Sequence, residues 1–207
     1  MPNLWERPEH ATSYLARADR LPHRREGEDI LARDLSGALP GRVLDLGCGD
    51  GRLAAIVLDA YPDSHAVCVD MSTTMLAAAA ARFGDDGRVA LRQHDLDEPL
   101  RIEGQFDAIV SSFAIHHLSD QRKHALYGEI AALLAPGGVF CNLDLVASPT
   151  RALHERWRDE MGVVDDPSDI LCDLQRQLSW ISAVGLHDVD CIWKWRSLAL
   201  MRGQMLG

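Results

Sequence analysis

Short apolar runs alternate with segments of helical character through the middle of this sequence. The runs are Arg42–Leu46, His65–Val69, Arg88–Gln93, Phe106–Val110 and Val139–Val146. Strands that are apolar on both faces and separated by helices form a parallel sheet with helices on both sides. The pattern therefore predicts a doubly wound α/β fold. The intervening helices are predicted over Arg52–Tyr61, Ser72–Phe83 and Ser119–Leu134, the last two with a serine as N-cap.

The segments on either side of this core break the alternation. Residues 1–39 predict an N-terminal helical cap with helices over Glu9–Asp19 and Arg24–Leu39. Residues 147–185 predict a helical insertion after the fifth strand, at the edge where parallel strands present their carboxyl ends. Both segments are expected to roof a pocket at that edge.

The chain closes with two strand-like runs in residues 186–207, Val189–Trp195 and Ser197–Met201, which predict a hairpin. Together with the core of residues 40–146, the hairpin completes one domain. The predicted fold is a Rossmann-like, seven-stranded, mostly parallel sheet with an antiparallel last strand. A breaker at Ala135–Gly138 predicts a turn before the fifth strand.

Charge and hydropathy restrict the kinds of partner. The formal net charge is −10 and the isoelectric point is about 5.3, so the surface repels phosphate backbones and a nucleic-acid substrate is disfavoured. The sequence has neither an apolar signal segment nor a run long enough to cross a membrane. These features predict a cytoplasmic protein with a small-molecule substrate. They leave the oligomeric state open, a homodimer included.

The five cysteines give no framework for disulfides or metal. They are Cys48, Cys68, Cys141, Cys172 and Cys191, and none lies in a C-x-x-C spacing. An odd number of widely spaced cysteines indicates free thiols in a reducing compartment. The sequence therefore predicts no metal site.

A glycine-rich turn follows the first strand directly, in the segment Val43–Gly51. Glycines at 47, 49 and 51 let the backbone turn tightly and approach a ligand closely. Asp70, at the end of the second strand, is placed to accept hydrogen bonds from ribose hydroxyls. A dinucleotide fingerprint would need a third glycine where Arg52 stands, which argues against an NAD-dependent oxidoreductase. The spacing favours an adenosyl ligand without a pyrophosphate.

With these motifs the sequence resembles the class I S-adenosylmethionine-dependent methyltransferases over about residues 40–146. Val43–Gly51 is similar to the family's first motif, and Asp70 to its ribose-binding acid. His94-Asp95-Leu96 is similar to the segment that receives adenine, with Asp95 accepting from the exocyclic amine. The resemblance implies S-adenosyl-L-methionine as cofactor and S-adenosyl-L-homocysteine as product. The implied cofactor-binding residues are Asp45, Gly47, Cys48, Gly49, Gly51, Asp70, Met71, Met75, His94, Asp95, Leu96, Ser111 and Ser112.

Each of these residues also has a purely structural interpretation. Asp70 is an alternative helix cap, although Ser72 already fills that role. Asp95 lies in an acidic cluster and is an alternative solvated loop acid, and Met75 is an alternative core residue.

Candidate catalytic residues follow the fourth strand. His116 is the first candidate for substrate contact or general base, and His117 is the second; the alternative for both is a structural role at a strand-to-helix junction. Asp144, late in the fifth strand, is a further candidate for the site. The full set of candidate substrate residues is Tyr14, His23, Arg24, Arg25, Phe113, Asp144 and Trp157.

The predicted function is transfer of a methyl group from the cofactor to an oxygen, nitrogen or carboxylate of a small molecule. Such an enzyme mainly has to align the acceptor with the methyl group and exclude water. Two alternatives remain at this point. One is a carboxy-S-adenosylmethionine synthase-like enzyme that processes the cofactor itself, and the other is a non-catalytic cofactor-binding module.

Overall fold

The structure, a computed structural model, describes residues 4–207 and contains one seven-stranded sheet. The strand order is β3-β2-β1-β4-β5-β7-β6, with β1 to β5 parallel and β7 antiparallel to both of its neighbours. The predicted fold is confirmed, including the antiparallel last strand. The strands are β1 (Arg42–Leu46), β2 (His65–Asp70), β3 (Val89–Gln93), β4 (Phe106–Ser112), β5 (Leu134–Leu145), β6 (His187–Trp195) and β7 (Leu198–Gln204).

Helices cover both faces of this sheet because alternate strand residues point to opposite sides. In β1, Val43 packs in the core on one face, while Leu44 and Leu46 pack in the core on the other. None of the helices within residues 4–207 has the length and apolar character needed to cross a membrane. The helices are α1 (Pro8–Leu15), α2 (Arg24–Asp34), α3 (Arg52–Ala60), α4 (Thr73–Phe83), α5 (Asp120–Leu133), α6 (Arg151–Met161) and α7 (Leu174–Ala183).

The two predicted serine caps are confirmed. The Ser72 hydroxyl accepts a hydrogen bond from the backbone N–H of Met75 at 3.5 Å and begins α4. The Ser119 hydroxyl accepts from the backbone N–H of Arg122 at 3.2 Å and begins α5. A capping oxygen satisfies one of the donors that the first turn of a helix leaves free.

The prediction of a turn at Ala135–Gly138 is wrong, because β5 already begins at Leu134 and includes these residues. Phe106 of β4 pairs with Leu134, and Ala108 pairs with Val139, so the longer stretch of β5 forms a bulge against β4. A Cβ at Gly138 would lie 2.8 Å from the Ala135 carbonyl oxygen. Only glycine allows this close approach, which lets pairing resume beyond the bulge.

The strand order opens a crevice between β1 and β4. The chain leaves β1 toward β2 on one side and reaches β4 on the other, so a crevice opens at the carboxyl ends of these two strands. The insertion returns to the same edge. The backbone N–H of Ile170 donates to the His116 carbonyl oxygen at 3.0 Å, and that of Ala147 donates to the Cys172 carbonyl oxygen at 2.9 Å.

A buried ion-pair network attaches the N-terminal cap to this edge. Glu28 of α2 is fully buried and accepts from the Nε atoms of Arg24 and Arg52, each at 2.8 Å. Arg52 also pairs with Asp19. Because Arg52 directly follows the glycine turn, the network holds the cap against the cleft that the turn borders.

Replacing Glu28 with glutamine should destabilise the protein by about 3 kcal/mol, because it leaves the buried Arg24 without its counter-charge. Urea unfolding at pH 7 measures the change. The matched control is Asp29→Asn, in the next residue, whose exposed carboxylate pairs with Arg25 at 3.8 Å. The control should change the free energy of unfolding by less than about 0.5 kcal/mol. Equal effects of the two variants would contradict the structural role of the network.

Candidate active site

Two clefts meet at the carboxyl ends of β1, β2 and β4. The first cleft is bordered by the glycine turn and by the loops after β2, β3 and β4. The second lies between the N-terminal cap and the insertion. The two clefts share one wall, which consists of Trp5, Tyr14, Arg24, Phe113 and His117.

The three glycines of the turn have different structural roles, although all have positive φ values of 66°, 55° and 76°. A Cβ at Gly47 would lie 2.2 Å from the Cβ of Ala114, and one at Gly51 would lie 2.3 Å from the Phe83 ring. A Cβ at Gly49 would have no neighbour within 4 Å, because this glycine borders the cleft. Gly47 and Gly51 therefore permit close packing, whereas Gly49 leaves room for a ligand.

Most of the predicted cofactor-binding residues line the first cleft. Gly51 and Ser111 do not. Gly51 packs on Phe83, and the buried Ser111 hydroxyl donates to the Leu46 carbonyl oxygen at 2.8 Å. The candidate residues that line the cleft are Asp45, Gly47, Cys48, Gly49, Asp70, Met71, Met75, His94, Asp95, Leu96 and Ser112.

Asp70 fixes the loop around it and borders the cleft. Its Oδ2 accepts from the Gly49 N–H at 2.8 Å, and its Oδ1 accepts from the Ser72 N–H at 2.8 Å. Burial raises the pKa of Asp70, and these two backbone bonds oppose that rise. Each carboxylate oxygen can accept a further hydrogen bond, so the side chain can orient the loop and still bind a ligand hydroxyl.

Three buried polar atoms on the first cleft have no hydrogen-bond partner among the described residues. They are Asp45 Oδ1, His94 Nε2 and Ser112 Oγ. Burial raises the pKa of Asp45 to about 7, against the lowering effect of the Ala54 N–H, which donates to its other oxygen at 3.2 Å. Unsatisfied buried polar groups are rare in proteins. Their position on one cleft fits a ligand that carries both donors and acceptors.

The far end of the first cleft has the composition expected for a planar, partly polar group. Met71 and Leu96 supply apolar surface, and Met75 is almost fully buried beneath them. Asp95 is half-buried, and its Oδ1 accepts from the Asp97 N–H at 2.9 Å. Asp95 is thus held in a loop turn and borders the cleft.

The shared wall brings Arg24, Tyr14 and Phe113 together. Arg24 donates to the Tyr14 hydroxyl at 3.0 Å, and its guanidinium carbon lies 4.9 Å from the Phe113 ring centroid. Phe113 has a φ value of 57°, a strained conformation for a bulky residue. Strain of this kind clusters at functional sites, where the surrounding structure holds it in place.

Four of the predicted substrate residues line neither cleft: His23, Arg25, Asp144 and Trp157. His23 contacts Glu26 at 2.7 Å and stacks on Trp195, and Arg25 pairs with Asp29 on the exposed side of α2. Neighbouring helix residues point in different directions, so only Arg24 turns inward. Trp157 packs under Lys194, with 5.2 Å between the ammonium and the ring centroid.

His116 is buried between two carboxylates on the second cleft. Its Nδ1 lies 2.5 Å from Asp144 Oδ1, and its Nε2 lies 3.3 Å from Asp169 Oδ1. Burial lowers the pKa of His116, but the two carboxylates raise it more, to about 9. Asp144 is itself buried behind the histidine and does not line either cleft.

His117 lies on the shared wall and contacts the insertion. Its Nδ1 lies 3.0 Å from the Ser168 hydroxyl and 3.3 Å from the Ser168 carbonyl oxygen. Burial lowers the pKa of His117, and the positive charge of His116 lowers it further. The histidine that the sequence ranks second is therefore the one that borders both clefts.

Sequence reasoning missed Asp169 and Ser168, which approach the two histidines from the insertion. No local signal marks them, because the insertion matches no motif and the contact spans about fifty residues of chain. It also missed Glu28, whose role depends on Arg52. From the sequence, Arg52 was notable only because it stands where a dinucleotide fingerprint has a glycine.

Comparisons with known proteins match this geometry. Residues 43–138 match the family model described as a methyltransferase domain. The ubiquinone/menaquinone biosynthesis C-methyltransferase UbiE of Syntrophotalea carbinolica is 37% identical over 123 residues, 58% of this chain and 50% of that protein. Ribosomal RNA small subunit methyltransferase C of Shewanella loihica is 35% identical over 118 residues, 56% of this chain and 34% of that protein. The matched region thus spans half or less of these relatives.

Solved structures share the fold over a larger part of the chain. An O-methyltransferase family protein from Burkholderia thailandensis superposes with a TM-score of 0.73 at 22% identity, covering 99% of this chain and 64% of that one. A second structure is the O-methyltransferase NcsB1 of neocarzinostatin biosynthesis, solved with S-adenosyl-L-homocysteine and 1,4-dihydroxy-2-naphthoic acid. It superposes with a TM-score of 0.64 at 22% identity, covering 85% of this chain and 52% of that one. Residues 43–138 thus resemble the methyltransferase domain family, and the chain has the fold of the class I S-adenosylmethionine-dependent methyltransferases.

Proposed function

We propose that this chain binds S-adenosyl-L-methionine in the first cleft and transfers its methyl group to a small molecule held in the second. The observation that carries the proposal is the shared wall, since it lets a ligand in one cleft reach a ligand in the other. When bound, the cofactor supplies a methyl group already activated on a sulfonium. The protein therefore has to bind, orient and exclude water.

The residues of the first cleft suit the parts of this cofactor. We assign Asp70 to the ribose hydroxyls, and His94 and Asp95 to the adenine, since all three line this cleft. Asp45, buried with one oxygen unpartnered, suits the ammonium of the amino-acid part. Gly49 provides the open space that a bound ligand needs beside the loop.

The second cleft has the character of a small-molecule pocket. Leu21, Leu145 and Met161 supply apolar surface, and the ion pairs Arg17–Asp166 and Arg158–Asp165 supply charged groups. Pockets of this kind are mostly apolar with a few placed polar groups. The enclosure between cap and insertion favours a small acceptor over an RNA, although one relative is named for ribosomal RNA.

His117 lies on the shared wall and can contact both ligands. His116, beside it, lies on the acceptor side and is held by Asp144 and Asp169. We assign to both histidines the positioning of the acceptor near the methyl group.

The central experiment incubates the purified full chain with S-adenosyl-L-methionine and a panel of small phenols, carboxylic acids, amines and quinols. We expect S-adenosyl-L-homocysteine to form only with a matching acceptor, and the product to gain one methyl group by mass spectrometry. Ligand retained through purification is analysed in the same way. A carboxylated cofactor would contradict simple methyl donation and favour the cofactor-processing alternative.

A pair of neighbouring serines tests the cofactor cleft. Ser112→Ala removes an unpartnered hydroxyl from the cleft, so it should leave the free energy of unfolding unchanged or higher and weaken S-adenosyl-L-homocysteine binding about tenfold or less. Ser111→Ala removes a hydroxyl that donates to Leu46, so it should cost about 1 kcal/mol and leave binding unchanged. Calorimetric titration and urea unfolding measure the two quantities. Weaker binding in the Ser111 variant alone would contradict the assignment.

The pH dependence of ligand binding tests Asp45. Its pKa of about 7 in the free protein means that it binds a proton below that pH, and pairing with the ligand ammonium would release this proton. Affinity for S-adenosyl-L-homocysteine should therefore rise about 25-fold from pH 5.5 to 7.5 and level off above the pKa. Asp45→Asn should remove this slope, because the amide does not titrate. An identical slope in the variant would assign the proton to another group.

A further inference from the structure

Three side chains with metal-binding atoms converge on the second cleft. Asp169 Oδ1 lies 3.3 Å from His116 Nε2 and 3.5 Å from His117 Nδ1, and all three atoms lie within 4.8 Å of one another. We propose that His116, His117 and Asp169 bind a divalent transition-metal ion of the zinc type. The sequence gives no sign of this site, because its ligands come from two segments that are distant along the chain.

The distances between the ligand atoms suit such an ion. Zinc lies about 2.1 Å from nitrogen and oxygen ligands, so two ligands of a tetrahedral site are about 3.4 Å apart. The two contacts of Asp169 already have this spacing. The candidate ligand atoms of all three residues lie within 4.8 Å of one another, so small side-chain movements would complete the site.

The neighbours of His116 hold its ring in the orientation that metal binding needs. Asp144 Oδ1 lies 2.5 Å from His116 Nδ1, which fixes the proton on that nitrogen and directs Nε2 toward Asp169. Metal-binding histidines commonly donate their other N–H to a carboxylate in this way. A backbone bond from Ile170 to the His116 carbonyl oxygen, at 3.0 Å, keeps Asp169 beside the histidine pair.

The carboxylate of Asp169 has an oxygen that is available to bind an ion. Its Oδ1 is buried and makes no well-aligned hydrogen bond to the described residues, although both histidines approach it. Asp169, His116 and His117 all line the second cleft. An ion bound there would keep its remaining coordination positions open to the cleft, as ions held by three protein ligands do at reactive sites.

The charge balance also fits a divalent ion. Without metal, a proton shared with His116 Nε2 offsets only part of the charge of Asp144 and Asp169, and His117 Nδ1 contacts Ser168 instead. A divalent ion would replace that proton, balance both carboxylates and take the Nδ1 of His117 from Ser168. Lys123 stays apart from the ion, since its ammonium donates to the carbonyl oxygens of Leu118 and Ile170.

The position of the site gives it a role in the proposed function. An ion on the acceptor cleft would bind an acceptor oxygen and orient it toward the shared wall, as Lewis-acidic metals do. This role rests on the proposed methyl transfer. The binding of metal to the three side chains does not.

The test uses the full chain after treatment with a chelator. Titration calorimetry with Zn²⁺ should give one tight site, and Co²⁺ should give the visible absorption of a site with nitrogen and oxygen ligands. Asp169→Asn and His117→Gln should each weaken Zn²⁺ binding at least about 100-fold, and Asp144→Asn by about 10- to 100-fold. The control, Asp165→Asn, removes a carboxylate of the same loop that pairs with His154 and Arg158. It should bind Zn²⁺ as the parent does.

Two results would overturn the proposal: no tight Zn²⁺ site in the parent, or equal Zn²⁺ affinity in the parent and Asp169→Asn. If that variant does not fold, His117→Gln and the Zn²⁺-dependent rise of the parent's melting temperature decide the question. S-adenosyl-L-homocysteine binding is measured on the same samples. If the parent binds Zn²⁺ but does not bind S-adenosyl-L-homocysteine, the proposed function is contradicted and the metal site is still supported.

Discussion

The close approach of Gly47 to Ala114 sets the geometry on which the rest of the site depends. A single added Cβ at Gly47 would fall 2.2 Å from the Cβ of Ala114, so the two loops can meet only where a residue has no side chain. This contact brings the turn after β1 against the loop after β4. Phe113 and His117, on either side of Ala114, then line both clefts. The proposed methyl transfer requires adjoining pockets of this kind, because donor and acceptor have to come into direct contact.

Buried acids form a second common feature, and each is stabilised differently. Glu28 pairs with two arginines, and its bond to Arg52 anchors the N-terminal cap beside the glycine turn. Asp144 faces a histidine that carries a proton at neutral pH. Asp45 has neither partner, and its raised pKa reflects burial without a cation. Burying a charge is costly unless it is paired, so the unpaired acid marks the place where a positively charged ligand group would gain most.

The sequence predicted the central strands and the loop after β1 well, because these depend on local patterns. The bounds of Arg42–Leu46 and the caps Ser72 and Ser119 followed from strand periodicity and from hydroxyls at helix starts. Contacts between distant segments carry no such signal. Asp169 can be recognised as a site residue only when the insertion folds back onto the histidines. Arg25 points away from the clefts because of its position around the helix.

The segments outside the matched region determine what the second cleft can accept. Residues 43–138 supply nearly all of the first cleft, and relatives that share this region carry names as different as a quinone C-methyltransferase and a ribosomal RNA methyltransferase. The second cleft takes Arg17 from the cap, and Arg158 and Asp169 from the insertion. A common sheet therefore fixes where a donor would lie, and variable helices fix which acceptor would fit. Because a fold by itself carries no substrate information, the proposed acceptor would be selected by the chemistry of those helices.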